Sequence, residues 1–528
     1  MFNGYVYSRK QNWFRYVYSL VSNHLNLNIL NLNQQFILAM DQGTTSSRAI
    51  LFDRSGAVAF SEQKAFRQYY PRPGWVEHDP SEIWKSQLAV ARKVIRKAGI
   101  SGSMVNTIGI TNQRETTLLW DKTSGEPVYN AIVWQDRRTE NRCQDLVRSG
   151  HANMIMERTG LVIDPYFSAT KIQWILEHEK NARSLAKMGR LAFGTIDSWL
   201  IWNLTAGKIW VTDVTNASRT MLFNIHTLEW DPELMDLFQI HESMLPEVVQ
   251  CNEIVGETDT SVFKERIPIS GIAGDQQASM FGQMCVNPGM LKNTYGTGCF
   301  LMLNTGSVPV VSKNKLLTTI AWKMDGHVQY ALEGSVFVAG AVIQWLRDEL
   351  GLIRSTPDIE MLARTVEDNG GVRFVPAFTG LGAPWWDSRV RGMITGLTRG
   401  TKKGHLARAA LEAIGFQNYF VIQAMKEDAG ITVEGIRVDG GAASNSMLMQ
   451  FQADLLGFQV ERSRMLENTA LGAAFFAGLT TGFWENVQEI KGIWSPDTVF
   501  EPGPMNDLLL QEISAWESAV KAAMVSAQ

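Results

Sequence analysis

The sequence predicts an α/β protein of two lobes that face each other across a central cleft. Its 528 residues suffice for two large domains or a few smaller ones, each with a proper core. Two Gly/Thr-rich turns, Asp41-Gln-Gly-Thr-Thr-Ser-Ser47 and Asn293-Thr-Tyr-Gly-Thr-Gly298, fall in separate halves of the chain, each between short apolar runs. Their similarity reads as a weak internal duplication in which each lobe presents one hairpin loop to the cleft. Strand-like runs and helical stripes follow both turns, the mixture expected of sheets flanked by helices.

Composition narrows the function. Hydrophobic residues make up 45% and charged residues 19%, ordinary for a globular protein. A formal net charge of -4 leaves no basic excess for nucleic acid or an anionic membrane surface. The four cysteines, Cys143, Cys251, Cys285 and Cys299, form no CxxC pair, which fits a reducing cytoplasm rather than a disulfide framework or structural zinc. No apolar run approaches the roughly 20 residues a membrane span needs. Residues 1–34 are rich in Asn, Tyr and Leu, lack acidic residues, and read as an extension without a folding role or an over-long start. The alternative is a basic, acid-poor transit peptide.

The elements follow in order. Phe36-Ile-Leu-Ala-Met40 and Arg48-Ala-Ile-Leu-Phe-Asp53 predict a β-hairpin whose tight loop, Gln42 to Ser47, turns amides and hydroxyls toward one point, the usual way to receive phosphate oxygens. Asp41 beside that loop is a candidate Mg²⁺ ligand, since Mg²⁺ takes few carboxylates and several waters. The loop lacks the spacing and lysine of a Walker A motif. Asp79-Pro-Ser-Glu82 predicts a helix start, continued by an apolar stripe through Ile83, Trp84, Leu88, Ala91, Val94 and Ile95 to about Gly99.

Ile108-Gly-Ile-Thr111 predicts a strand leading into Asn112-Gln-Arg-Glu115. The default expectation for Arg114 and Glu115 is a surface ion pair. The alternative is a set of donors and acceptors for the hydroxyls of a polyol. Trp134 and Tyr166, at run ends, belong either to the core or to an apolar wall for a small carbon skeleton. Asn287-Pro-Gly289 marks the domain boundary, giving an extension over 1–34, a first lobe over 35–284 and a second over 285–528. In the second lobe a long amphipathic helix is expected from Gly334 to Gly351, with Gly340 inside it and Gln344 one turn on. Val438-Asp-Gly-Gly-Ala-Ala-Ser-Asn445 predicts a strand running through a Gly-Gly turn to a helix N-terminus open to a ligand. Further helices are expected over 446–456, 469–479 and 507–526.

Ile272-Ala-Gly-Asp-Gln-Gln-Ala-Ser279 is the stretch around which these parts are organised. Asp275 sits in a small-residue turn at the end of an apolar run, placed to accept a proton from a bound hydroxyl. The plainer reading is a turn Asp that caps the next helix. The two Gly/Thr turns favour the first: Asp275 as general base of a small-molecule kinase whose ATP those turns hold.

Together the segments resemble the FGGY family of carbohydrate kinases, from about Phe36 to the C-terminus. The resemblance rests on Tyr166-Phe-Ser-Ala-Thr-Lys-Ile-Gln-Trp-Ile-Leu-Glu-His178 and on Gly392-Met-Ile-Thr-Gly-Leu-Thr-Arg-Gly400 through Leu411-Glu412. Pro73-Gly-Trp-Val-Glu-His-Asp79, Gly109-Ile-Thr-Asn-Gln-Arg-Glu-Thr116, Asn216-Ala-Ser-Arg-Thr-Met-Leu-Phe223 and Asn293-Thr-Tyr-Gly-Thr-Gly-Cys-Phe300 narrow it to members acting on a three-carbon polyol. The resemblance implies a two-lobed actin-like/ribonuclease H-like ATPase fold, and phosphorylation of glycerol by ATP with Mg²⁺ in a cytoplasmic homodimer or homotetramer. It further implies that Arg114, Glu115, Tyr166, Asp275 and Gln276 bind the glycerol hydroxyls, with Trp134 and Phe300 flanking its carbons. Thr44, Thr45, Ser46 and Arg48 would face the phosphates, with Asp41 near the metal. Thr297, Gly340, Gln344, Gly441 and Asn445 would line the nucleotide site.

Two departures bear on regulation. Where members inhibited by fructose 1,6-bisphosphate carry Gly-Gly-Thr-Arg, this chain has Val262-Phe-Lys-Glu-Arg266, and only the arginine remains. Gly256 to Ser270 contains no histidine for the activating phosphorylation of other members. A pentulose kinase of the same family, or an actin-like ATPase without a substrate base, are the competing readings.

Overall fold

The structure is a computed structural model and describes residues 35–527. The expected extension over residues 1–34 lies outside the described residues. Two large mixed sheets organise the chain. The first contains β1 (Phe36–Gln42), β2 (Ser46–Phe52), β3 (Val58–Ala65), β4 (Val105–Asn112), β5 (Gly256–Glu257) and β6 (Pro268–Gly274), in the order β5-β6-β4-β1-β2-β3. The second contains β7 (Leu291–Tyr295), β8 (Cys299–Gly306), β9 (Leu317–Met324), β10 (His327–Val336), β11 (Gly435–Asp439), β12 (Gln459–Ser463) and β13 (Pro496–Phe500), in the order β9-β10-β8-β7-β11-β12-β13.

The two sheets repeat one plan, as the paired turns led us to expect. In the first, β1 and β2 form an antiparallel hairpin with Gln42 opposite Ser47, while β4 and then β6 join β1 in parallel. In the second, β7 and β8 form the hairpin with Tyr295 opposite Cys299, and β11 and then β12 join in parallel. Both faces of these central strands are covered, so they read as nearly continuous apolar runs, Phe36 to Met40 being wholly buried.

Helix α1 (Pro80–Ala98) forms as its sequence demands. Asp79 accepts the amide of Ser81, Pro80 opens the first turn, and Gly99 closes the helix in the left-handed conformation at φ 68°. Such an N-cap contributes about 1 kcal/mol. Its buried stripe (Ile83, Val90, Ala91, Val94, Ile95) packs on the first sheet.

Helix α2 (Asp275–Gly282) follows β6 without a loop, and α3 (Gly340–Asp348) follows β10. The expected helix from Gly334 to Gly351 is therefore shorter, because Gly334 to Val336 are the end of β10, hydrogen-bonded to β8. Gly340 is its first residue rather than an interior one. Helices α4 (Lys403–Ala429), α5 (Ser446–Leu456), α6 (Asn468–Thr481) and α7 (Asp507–Val525) complete the second half, the last three close to expectation.

One element crosses back. Helix α6 lies on the first sheet, where a Cβ on Gly109 of β4 would stand 2.3 Å from the Ala473 carbonyl oxygen. It also crosses α2, where a Cβ on Gly472 would stand 1.8 Å from the Ala278 oxygen. Only glycine permits backbones to approach so closely. The side chains of α6 and α2, among them Ala278, Phe281, Phe476 and Ala477, form one apolar cluster with residues of both sheets. Two helices and one shared core thus join the halves.

Candidate active site

The site lies at the carboxyl ends of the parallel strands of both sheets, the edge at which open α/β sheets place ligands. In the first sheet, β1 ends at Gln42 and passes into the Gly43–Thr45 loop, β4 ends at Asn112 before Arg114 and Glu115, and β6 ends at Gly274 before Asp275. Asp275 is thus the first residue of a helix rather than part of a turn. It does act partly as the plainer reading had it, since its Oδ1 accepts the Gln276 amide at 2.7 Å. That leaves Oδ2, on a side chain 31% exposed. Burial raises the Asp275 carboxyl above the ordinary Asp range, against the opposing pull of Arg114 and Lys292.

Arg114 and Glu115 are not a surface pair. Their side chains are 2% and 1% exposed and belong to a buried network of two arginines and two glutamates. The Arg114 fork grips Glu333 of β10, Nη1 to Oε2 at 2.6 Å and Nη2 to Oε1 at 2.9 Å, leaving Nε 3.2 Å from Asp275 Oδ1. Arg219 donates to Glu115 Oε1 at 2.6 Å and to Glu333 Oε1 at 3.1 Å. The reason is topological: β4 is a central strand, so whatever follows its end is enclosed by both halves. Glu115 holds a left-handed backbone at φ 59°. The buried Lys171 donates to its carbonyl at 3.2 Å and to that of Tyr166 at 2.7 Å.

The expected aromatic wall is assembled. Trp134 meets Tyr166 with ring centroids 5.6 Å apart and Phe300 of β8 at 6.3 Å, both edge-on. The Trp134 indole Nε1 donates to Thr44 Oγ1 at 3.0 Å, which ties the wall to the first Gly/Thr loop. That loop is tight: the Gly43 amide donates to the Ser46 carbonyl at 3.0 Å, and Gln68 holds the Thr44 carbonyl at 3.0 Å. Thr45 is exposed, and Ser46 Oγ accepts from Gln63 at 2.7 Å. Arg48 is ion-paired with Glu467, just before α6.

The second set of expected residues gathers around the other hairpin. The Ala341 amide donates to the Thr297 carbonyl at 3.1 Å and the Gly340 amide to the Gly296 carbonyl at 3.0 Å. A Cβ on Gly340 would stand 2.5 Å from that Gly296 oxygen, so close packing explains the glycine. Gln344, one turn on, is exposed. Gly440, at φ 89°, packs on the Tyr295 backbone, while a Cβ on Gly441 would meet no atom within 4 Å. Asn445 caps α5 by accepting the Leu448 amide at 2.9 Å.

These residues suit ATP and Mg²⁺. Backbone amides and hydroxyls of two Gly/Thr loops offer donors for phosphate oxygens, and Gly441 borders open space. Burial lifts the Asp41 carboxyl to about 7, eased by Arg48 and worsened by Glu467 and Asp275, and among the described residues no group donates a hydrogen bond to it. A half-buried carboxylate without a donor matches a cation ligand. Among the described residues no cluster of three or more His, Cys, Asp or Glu could hold a metal. Mg²⁺ needs few carboxylates and takes its other ligands from phosphate and water.

Sequence reasoning missed Arg219, Glu333, Lys292 and Glu467. Lys292 and Glu333 are each a charged residue inside a largely buried strand, and a charge within a strand-like run was the signal available. Arg219 lay within a quoted motif, but nothing in its spacing indicated partners 104 and 114 residues away.

Comparison with known proteins agrees with this geometry. Residues 36–282 match the N-terminal domain of the FGGY family of carbohydrate kinases, and residues 291–481 match its C-terminal domain. The glycerol kinase of Chromobacterium violaceum is 57% identical over 494 residues, covering 94% of this chain and 99% of that protein. That of Burkholderia pseudomallei is 57% identical, covering 93% and 98%. The crystal structure of Plasmodium falciparum glycerol kinase with ADP superposes with a TM-score of 0.88 at 37% identity, covering 93% of this chain and 98% of that one. The two-lobed actin-like/ribonuclease H-like fold expected from the resemblance is borne out.

Proposed function

The chain belongs to the FGGY family of carbohydrate kinases, and from that premise we propose that it transfers the γ-phosphoryl group of ATP to glycerol, with Asp275 as general base. The observation that carries the residue assignment is the placement of Asp275. It follows a central parallel strand, has no partner on Oδ2 among the described residues, and has Arg114 at 3.2 Å beside the Trp134–Tyr166–Phe300 wall.

The reaction follows from that placement. Glycerol lies with its carbons against Trp134 and Phe300 and its hydroxyls toward Arg114, Glu115, Tyr166, Asp275 and Gln276. Asp275 Oδ2 takes the proton of the attacking hydroxyl as its oxygen bonds to the γ-phosphorus and the bond to the ADP oxygen breaks. Arg114 opposes the burial that raises the Asp275 carboxyl and so favours the ionised form that accepts the proton. The Arg114 fork is engaged by Glu333, so the polyol meets Arg114 along its Nε edge, beside Asp275. Thr44, Thr45, Ser46 and Arg48 hold the phosphates, with Arg48 leaving Glu467 to do so. Thr297, Gly340, Gln344, Gly441 and Asn445 hold the rest of the nucleotide. Mg²⁺ at Asp41 would neutralise phosphate charge.

We assign residues 35–284 to a glycerol and phosphate lobe and 285–528 to a nucleotide lobe, with α6 returning to seal the first. Among the described residues no helix is long and apolar enough to cross a membrane. A cytoplasmic homodimer or homotetramer is the assembly this reading favours, to be checked by light scattering. The functional test is a coupled assay of turnover with ATP and glycerol against other polyols and pentuloses. Glycerol should give the highest kcat/KM, and a pentulose preferred over it would replace the substrate assignment.

A further inference from the structure

The structure assigns to Lys292 a positioning role: its ammonium fixes the side-chain amide of Gln276 so that the NH₂ group, not the carbonyl, meets the substrate hydroxyl. Lys292 lies on β7 and is fully buried, and its Nζ stands 2.5 Å from Gln276 Oε1 and 3.2 Å from Thr294 Oγ1. A lysine ammonium only donates, so the Gln276 atom facing it must be the oxygen. The amide nitrogen is then the end left for a ligand. This rests on the reading that Gln276 and Asp275 bind one polyol.

The consequence concerns one hydroxyl. Asp275 Oδ2 requires that this group give up its hydrogen, while the Gln276 NH₂ requires that its oxygen accept one. A hydroxyl satisfies both only in a single rotamer, with its proton toward the carboxylate. Lys292 therefore selects the orientation in which deprotonation occurs, from the strand that leads into the Gly296–Gly298 turn. The position calls for a donor: an acceptor at 292 would reverse the amide, and an apolar side chain would leave it free to flip.

A second effect follows from the charge. Asp275 faces Arg114 from the end of β4, Lys292 from β7 and Glu333 from β10, with Asp41 of β1 nearby. Lys292 faces Asp439 of β11, Arg114, Asp275 and Glu333. Burial lowers the Lys292 ammonium to about 8, and as a cation it favours ionised Asp275. Removing the charge makes Asp275 easier to protonate, so the acid limb of activity moves to higher pH.

Two variants separate these effects. Lys292→Gln still donates to Gln276 Oε1 but carries no charge. It should keep the glycerol Kd, measured by calorimetry without nucleotide, within about threefold while the acid limb of kcat/KM rises by about one pH unit. Lys292→Met loses donor and charge, so its glycerol Kd should rise about tenfold and its acid limb should rise as well. Thermal melting and ADP binding report whether each variant folds. If Lys292→Met does not fold, the limb of Lys292→Gln decides. Folded variants with wild-type Kd and acid limb overturn the assignment. If Asp275→Asn is inactive in the same series, the general-base reading stands without it. If Asp275→Asn is fully active, both fall.

Discussion

Arg114 and Glu333, 219 positions apart in the chain, form a bidentate ion pair with both side chains at most 2% exposed. It links the residue after β4 in the first half to β10 in the second, immediately beside Asp275. Burial alone would raise the Glu333 carboxyl, but the guanidiniums of Arg114 and Arg219 outweigh it and hold the group at about 2. Glu333→Gln removes the charge that both arginines face. Breaking a buried pair in this way costs about 3–5 kcal/mol. The variant should melt at a clearly lower temperature by calorimetry, and a melting point equal to wild type would contradict the pairing.

The same group sets a pH dependence of stability. The folded value of about 2 lies below the ordinary 4.5, so the stabilisation is complete above about 4.5 and disappears as pH falls through about 2. Wild-type melting temperature should decline across that window. Glu333→Gln should show a shallower decline, and parallel curves would exclude Glu333 as the source.

Asp41 titrates in the opposite sense. With its carboxyl raised to about 7, it is neutral below that pH and carries the charge that the proposed Mg²⁺ role needs above it. Mg²⁺-dependent nucleotide binding should strengthen as pH rises from 6 to 8, and Asp41→Asn should flatten this rise. Titration calorimetry of nucleotide with and without Mg²⁺ makes the comparison. An unchanged pH slope in the variant would remove Asp41 from the metal site.

Gly441 separates binding from folding. A methyl group there meets nothing within 4 Å, so Gly441→Ala should melt as wild type while its KM for ATP rises several-fold and its KM for glycerol stays put. Steady-state kinetics with each substrate varied provides the check. An unchanged KM for ATP would place the nucleotide elsewhere.

Much of this site was legible in the sequence because local chemistry dictates it. The hairpin turns, the Asp79 cap and the Gly-Gly turn before Asn445 carry their geometry within a few residues, and all formed. What the sequence concealed was long-range. Arg114 and Glu115 look like a solvent pair because adjacent charges usually are. Their burial depends on β4 being central and on Glu333 arriving from the other sheet. Gly334-Ser-Val336 carries too little pattern to favour helix or strand, and pairing with β8 decides between them. Glycines such as Gly109 and Gly472 mark the α6 crossing, yet their partners are hundreds of residues away or on another helix.

The most direct measurement is glycerol-dependent turnover of Asp275→Asn, with nucleotide affinity measured alongside. The amide keeps the shape and the contact to the Gln276 N–H but cannot accept the hydroxyl proton. Loss of a positioned base costs about 10²–10⁴-fold, so kcat should fall by that order while nucleotide affinity stays near wild type. Wild-type turnover in this variant would contradict Asp275 as the base.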